Sequence, residues 1–279
     1  MNLSDVLSSV NVRSGELAIC WLGQAGVFLK DGKGNTLTLD PYLTNCGERI
    51  RGFKRLSAML IDPVEFTPDY HITTHLHFDH FDYDAIPVIA RNSPQTLFMG
   101  PSSCITKFHE AGIPAERCCR LDRGDVYRDT AITVQAILAD HGTMAPDAIG
   151  VMLEMGGHRL YFSGDTAFHA ELFQKVAEFK PDIVFLSING QFGNLNEVEG
   201  AQAAAIIGAP YAVPCHCWTF MEHQGNPYVF CEQLRQISQT QVFFFRQGEV
   251  QVLDVDNQLR EMEGGNCYES DSLYATRSH

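Results

Sequence analysis

The strongest constraint on the fold of this chain is a cluster of possible metal ligands near residue 75. Residues 71–82 read HITTHLHFDHFD and contain four histidines and two aspartates. His75 and His77 are two residues apart, so in an extended loop their rings project to one side and can bind one ion. Asp79 and His80 follow directly, and a turn there can direct both side chains to a second ion. The segment therefore predicts a metal site on a loop that leaves a strand.

Two ions need more ligands than this loop provides, and three further candidates stand where apolar strands end. His141 ends VQAILADH, Asp165 ends RLYFSGD, and His216 ends YAVPCH. Such positions give side chains rigid support. The predicted ligands are His75, His77 and His141 for the first ion, Asp79, His80 and His216 for the second, and Asp165 as a bridge between the two.

The predicted ligand set indicates hydrolytic chemistry. Two cations lower the pKa of a water held between them, so a bridging hydroxide becomes available at neutral pH. All the ligand atoms are nitrogen or oxygen, which suits manganese, zinc or iron. The sequence therefore predicts an enzyme that depends on two divalent metal ions.

The order of apolar segments predicts two mixed sheets covered by helices. Strand-like runs such as ELAICWLG, GVFLK and NTLTLD come first, and strands alternate with amphipathic helices from residue 70 onward. We expect strands in QVFFFRQ and in EVQVLDV near the end. No linker-like composition divides the chain, so we expect a single domain over residues 1–261, followed by a polar C-terminal tail over residues 262–279.

Composition narrows the class of protein. The formal charge of −14 repels phosphate backbones, so we expect no nucleic-acid partner. No apolar run approaches the length that spans a bilayer, and the N-terminal segment lacks the features of a signal peptide. Nine cysteines without a C-x-x-C spacing favour reduced thiols. We expect a cytoplasmic protein with a small-molecule substrate and no membrane partner, and homo-oligomer formation remains open.

These residues resemble the metallo-β-lactamase superfamily, because THLHFDH matches its T-H-x-H-x-D-H motif and SGDT matches its strand-ending bridging aspartate. The chain is similar to the group that contains L-ascorbate-6-phosphate lactonase, through WLGQAGVFLK, TLDPYL, ADHGTMAPDAIGVMLE, SINGQFGNLN and VPCHCWTF. The resemblance covers about residues 17–245. It implies an α/β (α+β) fold of the αββα four-layer sandwich type, and it favours manganese or zinc as the two ions.

The resemblance also implies a reaction. A hydroxide bridging two ions would attack an ester-like carbonyl, with a lactone such as a phosphorylated sugar lactone as the expected substrate. Asp79 is the expected catalytic residue, which orients the hydroxide and carries its proton to the leaving oxygen. A metal-dependent phosphodiesterase is an alternative. A di-iron redox protein and a non-catalytic metal-binding protein are alternatives of another class.

Several residues are expected to support the site. Asp40 and Thr74 are expected to hold ligand imidazoles in place, although a turn role for Asp40 is an alternative. Asn189, Trp218 and His223 follow strand ends and are candidates for lining the substrate pocket, with loop packing as the alternative.

Two further features have competing interpretations. The basic segment Arg49–Arg55 could bind a substrate phosphate, but a solvated loop or a subunit contact is the favoured interpretation. Cys215 and Cys217 flank His216, and strand alternation favours packing over metal ligation for both.

Overall fold

Alternating side chains in the first strands separate a central core from an outer helical layer. Leu17 and Ile19 face the central core, whereas Cys20 and Leu22 pack on the opposite face of the sheet. The structure is a computed structural model and describes residues 2–261. The strands of this first sheet are β1 (Leu17–Gly23), β2 (Gly26–Asp31), β3 (Thr36–Leu39), β4 (Tyr70–Ile72), β5 (Leu97–Gly100), β6 (Cys118–Arg120), β14 (Val250–Leu253) and β15 (Leu259–Glu261).

The second sheet supplies the other wall of the central core. Its hairpin β9–β10 turns at Gly156–Gly157, and its apolar side chains meet those of the first sheet. The strands of the second sheet are β7 (Val126–Arg128), β8 (Ile132–Leu138), β9 (Ile149–Met155), β10 (His158–Phe162), β11 (Ile183–Ser187), β12 (Tyr211–Cys215) and β13 (Gln241–Val242).

Both sheets mix parallel and antiparallel pairs. The first has the order β15-β14-β1-β2-β3-β4-β5-β6, and its parallel part runs from β3 to β6. The second has the order β13-β12-β11-β10-β9-β8-β7, and its parallel part runs from β10 to β13. Loops that leave the carboxyl ends of parallel strands gather at one edge of a sheet, which is where such folds place ligand sites.

Helices cover the outer face of each sheet. Side chains of α1, α3 and α4 pack on the first sheet, and those of α5, α6 and α7 pack on the second. The predicted αββα four-layer sandwich is therefore confirmed. The helices are α1 (Leu3–Ser9), α2 (Cys46–Arg51), α3 (Ala85–Asn92), α4 (Ser102–Glu110), α5 (Ala170–Phe179), α6 (Glu197–Ile207) and α7 (Pro227–Ile237).

Some predicted elements differ from those observed. The strand expected in QVFFFRQ shortens to β13, because after Phe243 the chain leaves the sheet and crosses to the other one, where Gly248 N–H donates to the Trp21 carbonyl. The basic segment Arg49–Arg55, expected to be a loop, starts inside α2, whose last residue is Arg51 and whose C-cap, Gly52, has a left-handed conformation. The tail predicted over residues 262–279 lies outside the described residues.

Over residues 2–261, none of the helices combines the length and apolar character needed to cross a membrane.

Candidate metal centre

Four predicted ligands converge in a first ligand group, which consists of His75, His77, His141 and Asp165. His75 Nε2 lies 2.9 Å from His77 Nδ1, and His141 Nε2 lies 3.2 Å from the same atom. Asp165 Oδ2 is 3.9 Å from His75 Nε2 and 3.7 Å from His141 Nε2. The loops after β4, β8 and β10 therefore bring three imidazole nitrogens and one carboxylate oxygen around one point.

A second ligand group consists of Asp79, His80 and His216. His80 Nε2 and His216 Nε2 are 2.9 Å apart, and Asp79 Oδ2 is 3.1 Å from His216 Nε2. Asp165 Oδ1 lies 3.3 Å from both imidazole nitrogens. The structure thus brings together all seven side chains that the sequence predicts as ligands, in the predicted division.

Asp165 joins the two groups, because its Oδ2 faces the first group and its Oδ1 faces the second. Asp165 Oδ1 is buried and accepts no hydrogen bond from the part of the chain that the structure describes. A buried carboxylate oxygen without a donor is costly unless a cation or proton compensates it. Converging imidazole nitrogens also need a shared proton or cation, since their lone pairs repel. The residues present therefore fit two divalent ions with Asp165 between them.

Burial and charge set the protonation of these groups. Burial lowers the pKa of His75 well below its usual value, so its ring is neutral and its lone pair is available. Burial raises the pKa of Asp79 and of Asp165, but nearby imidazoles outweigh it and hold both well below the usual range. Burial lowers the pKa of His80, yet Asp165, Asp40 and Asp79 together raise it well above its usual value. A cation at His80 would take over the charge that this proton supplies.

Asp40 and Thr74 surround His80, as the sequence predicts. Asp40 Oδ2 accepts hydrogen bonds from His80 Nδ1 at 2.7 Å and from Thr74 Oγ1 at 2.6 Å. The Thr74 N–H donates to Asp40 Oδ1 at 2.7 Å. A carboxylate on the distal nitrogen of a ligand imidazole fixes the orientation of the ring and increases its basicity.

Asn194 is a contact of the bridging carboxylate that sequence reasoning missed. Its Nδ2 donates to Asp165 Oδ2 at 2.7 Å and to Asn189 Oδ1 at 2.9 Å. Asn189, a candidate for the substrate pocket, is fully buried and contacts Asn194. Both asparagines lie in the loop between β11 and α6, and only the general preference of such loops for polar residues at a site could have indicated them.

Gln24 is a second residue that sequence reasoning missed. Its Nε2 lies 2.7 Å from Asp79 Oδ2, 3.0 Å from His216 Nε2 and 2.9 Å from His223 Nδ1. It occupies the turn between β1 and β2 with φ 54°, a left-handed conformation that is unusual for glutamine. A lone amide beside a glycine at a strand end, as in WLGQAG, was the available signal.

Aromatic rings border the second ligand group. His223 stacks on His216 with ring centroids 4.7 Å apart, and its edge meets Phe53, Phe192 and Phe220. Burial lowers the pKa of His223 to about 4.

Trp218, a candidate for lining the substrate pocket, is exposed, and its ring contacts Tyr228. Of the rings that border His223, Phe192 is exposed and Phe53 is half-buried, so these two offer a substrate an apolar surface near the second ligand group.

The basic segment Arg49–Arg55 is partly committed to protein contacts. Arg55 donates to the carbonyls of Tyr42 and Thr44, and its guanidinium lies 4.1 Å from the centre of the Tyr42 ring. Arg49 pairs with Asp84 at the surface. The Arg55 guanidinium is therefore used to hold the backbone at Tyr42 and Thr44, so it is poorly placed to bind a phosphate.

The cysteines beside His216 are buried, and Cys215 packs in the central core between the sheets. Burial raises the pKa of Cys215 well above its usual value and that of Cys217 to about 12. Neither belongs to a ligand group in the described residues, which agrees with a packing role.

Comparisons with known proteins agree with this geometry. The chain is 28% identical over 196 residues to a UPF0173 metal-dependent hydrolase of Polynucleobacter asymbioticus, covering 64% of this chain and 66% of that protein. It is 23% identical over 272 residues to the probable L-ascorbate-6-phosphate lactonase UlaG of Escherichia coli O139:H28, covering 81% of this chain and 76% of that protein. The chain thus spans about two thirds of the first relative and three quarters of the second.

A solved structure supports the fold. Igni18, a metallo hydrolase from Ignicoccus hospitalis, has a TM-score of 0.70 and 20% sequence identity, covering 85% of this chain and 98% of that one. At the level of sequence, a family model described as the beta-lactamase superfamily domain matches residues 41–217, which is more than half of the chain. The protein therefore belongs to the beta-lactamase superfamily.

Proposed function

We propose that this protein, a metal-dependent hydrolase of the beta-lactamase superfamily, cleaves a lactone or a related ester of a small molecule. The observation that carries the proposal is the position of Asp165, whose two oxygens face two adjacent ligand groups. Two divalent ions, manganese or zinc, would supply positive charge and a water of lowered pKa when bound there. Similarity to a probable lactonase supports the choice of substrate class.

The chain's own residues provide the remaining functions. Asp79 belongs to the second ligand group, where its carboxylate can orient a nucleophilic water and carry a proton to the leaving oxygen. Asp40 and Asn194 hold His80 and Asp165 by hydrogen bonds, so the reacting geometry is organised before substrate binds. The aromatic border beside His223 can contact the ring carbons of a lactone and limit the access of water to the metal centre.

The experiment is hydrolysis of a substrate panel by protein loaded with manganese or zinc. The panel contains sugar lactones with and without a phosphate, an aryl ester and bis-p-nitrophenyl phosphate. We expect turnover of a lactone that chelation abolishes and that Asp79→Asn lowers by at least about 100-fold. Asp84→Asn, which removes an exposed carboxylate that pairs with Arg49, is the matched control and retains activity.

Two outcomes would overturn the proposal. Hydrolysis of bis-p-nitrophenyl phosphate without turnover of any lactone or ester would assign a phosphodiesterase. Two irons per chain without turnover across the panel would assign a redox role. A preference for phosphorylated lactones would indicate that other cations of the segment Arg49–Arg55 bind the phosphate. Arg55 itself already donates to the carbonyls of Tyr42 and Thr44.

A further inference from the structure

The Gln24 carboxamide reaches into the second ligand group from the first sheet. Its Nε2 donates a hydrogen bond to Asp79 Oδ2 at 2.7 Å and lies 3.0 Å from His216 Nε2. Two ligands at adjacent positions of one ion, each bonded at about 2.1 Å, lie about 3.0 to 3.4 Å apart. The tip of Gln24 therefore stands close to the separation expected of another ligand of the same ion.

The chemistry of the neighbours decides which atom of the amide belongs there. A carboxamide N–H beside His216 Nε2 would need the same lone pair that an ion bound to His216 needs, and one lone pair cannot serve both. In the present orientation Gln24 Oε1 is buried and has no hydrogen-bond partner among residues 2–261. Amide oxygen and nitrogen exchange places by a half turn about the last side-chain bond, and their assignment follows the surrounding hydrogen bonds. After that half turn the oxygen faces the ligand group and can accept a hydrogen bond from His223 Nδ1.

The backbone fixes Gln24 in this position. Its carbonyl accepts hydrogen bonds from the His216 N–H at 3.0 Å and from Trp21 Nε1 at 3.0 Å. Its left-handed φ of 54° is a strained conformation, which persists only where the surrounding structure enforces it. The turn between β1 and β2 is therefore tied to the His216 loop, and it directs the side chain inward.

We infer that Gln24 is an eighth side chain of the metal centre and places its carboxamide oxygen on the ion of the second ligand group. The second ion then has more oxygen ligands than the first, which is held mainly by imidazoles. Oxygen-rich sites favour manganese, whereas zinc is satisfied by four ligands. Gln24 therefore makes the second position the more selective one for manganese.

The test is stepwise binding of Mn²⁺ to metal-free protein, measured by titration calorimetry and by metal content after dialysis. The two binding steps are assigned by the losses in His141→Ala and His216→Ala. We expect Gln24→Leu to weaken binding of the second ion by about 10- to 100-fold and to leave the first unchanged. With Zn²⁺ the loss at the second step is smaller. Gln251→Leu, which removes a buried amide from β14 in the same sheet, is the matched control and leaves both steps unchanged.

The Gln24→Glu variant distinguishes between two roles of Gln24, that of an oxygen ligand of the ion and that of a hydrogen-bond donor to Asp79. If Gln24 binds the ion through its oxygen, the Gln24→Glu variant should bind the second ion as tightly as the wild type or more tightly, because glutamate supplies a charged oxygen. If Gln24 instead only donates a hydrogen bond to Asp79, the Gln24→Glu variant should lose at least as much second-ion affinity as Gln24→Leu, because two carboxylates would face each other. This result would overturn the inference. Unchanged binding in Gln24→Leu would also overturn it. If the leucine variant does not fold, Gln24→Asn, which tolerates a left-handed backbone but is one carbon shorter, replaces it.

The inference rests on the proposed metal centre, but the two can fail separately. Wild-type protein that binds no second ion would contradict the proposed function itself. Wild-type protein that binds two ions, with the Gln24 variants indistinguishable from it, would contradict only the role of Gln24.

Discussion

At the scale of single residues, Asp40 is a sensitive point of the metal centre because it contacts His80 without belonging to either ligand group. Asparagine has nearly the shape of aspartate and tolerates the left-handed φ of 45° at this position. In Asp40→Asn, however, an NH2 group replaces one of the oxygens that accept hydrogen bonds. We expect second-ion affinity to fall by about 10- to 100-fold while first-ion affinity is retained. Calorimetric titration with Mn²⁺ measures both. Asp82→Asn, a change in another buried carboxylate that bonds to Leu43 and Thr44 instead, should leave both affinities unchanged.

His71 gives a prediction about stability and pH. It is fully buried against Phe98 and Phe108, and neither ring nitrogen has a hydrogen-bond partner within the described residues. Burial lowers its pKa to about 3. In the unfolded chain the ring takes up a proton near pH 6.5, whereas the folded protein excludes that proton down to about pH 3. Stability contributed by the neutral ring is therefore present above pH 6.5 and is lost as the pH falls.

We expect His71→Leu to stabilise the protein at pH 7 by about 1–3 kcal/mol, because two unpaired polar atoms are removed. The difference between variant and wild type should widen by about 1.4 kcal/mol for each pH unit below about 6. Urea unfolding at three pH values from neutral to mildly acidic, in the presence of chelator, measures it. Parallel stability curves for the two proteins would show that His71 does not titrate on unfolding.

Residue type and spacing were enough to predict the seven converging side chains. A metal site accounts for HLHFDH together with a histidine or aspartate at three strand ends, and ordinary packing rarely produces that combination. Gln24 and Asn194 escaped prediction for a physical reason. A lone amide in a turn has many ordinary roles, and only the three-dimensional path of the backbone directs it toward a carboxylate. The orientation of Trp218 toward Tyr228 was hidden for the same reason.

At the scale of elements, the turn after β10 depends on Gly164. Its φ is 58°, and a Cβ there would lie 2.7 Å from the Ile149 carbonyl oxygen. We expect Gly164→Ala to shift Asp165, to weaken binding of both ions and to lower stability by more than the roughly 1 kcal/mol that a left-handed backbone alone costs an alanine. Metal content and thermal unfolding measure the two effects.

Gly208→Ala is the control for backbone strain. Gly208 has a similar φ of 68° at the end of α6, but a Cβ there meets no atom within 4 Å. This variant should lose about 1 kcal/mol of stability and keep full metal content. Equal metal loss in both variants would mean that Gly164 is not needed to place Asp165.

Element order was largely predictable because strand alternation and helix spacing survive in the sequence. Short elements were not, since β6, β7 and β15 span three residues each, too few for a periodic pattern. The sequence predicts a strand throughout QVFFFRQ, but the crossing from one sheet to the other ends the pairing after Val242.

At the scale of the whole molecule, the ligand groups connect the two sheets. His75, His77, Asp79 and His80 follow β4 of the first sheet, whereas His141, Asp165 and His216 follow strands of the second. Ions that bind only the folded protein stabilise it by mass action, by about 2.7 kcal/mol at a hundredfold excess over the dissociation constant. We therefore expect chelation to lower the unfolding temperature by several degrees, and readdition of Mn²⁺ or Zn²⁺ to restore it. An unchanged unfolding temperature would contradict a bound metal pair that links the sheets.

The most direct test of the central claim is to titrate metal-free protein with Mn²⁺ while following lactone hydrolysis in the same sample. A centre in which Asp165 serves two ions predicts that turnover rises until two equivalents have bound and then stays constant, and that Asp165→Asn abolishes it. Full turnover at one equivalent, or no turnover with two ions bound, would contradict a hydrolase built on a pair of ions.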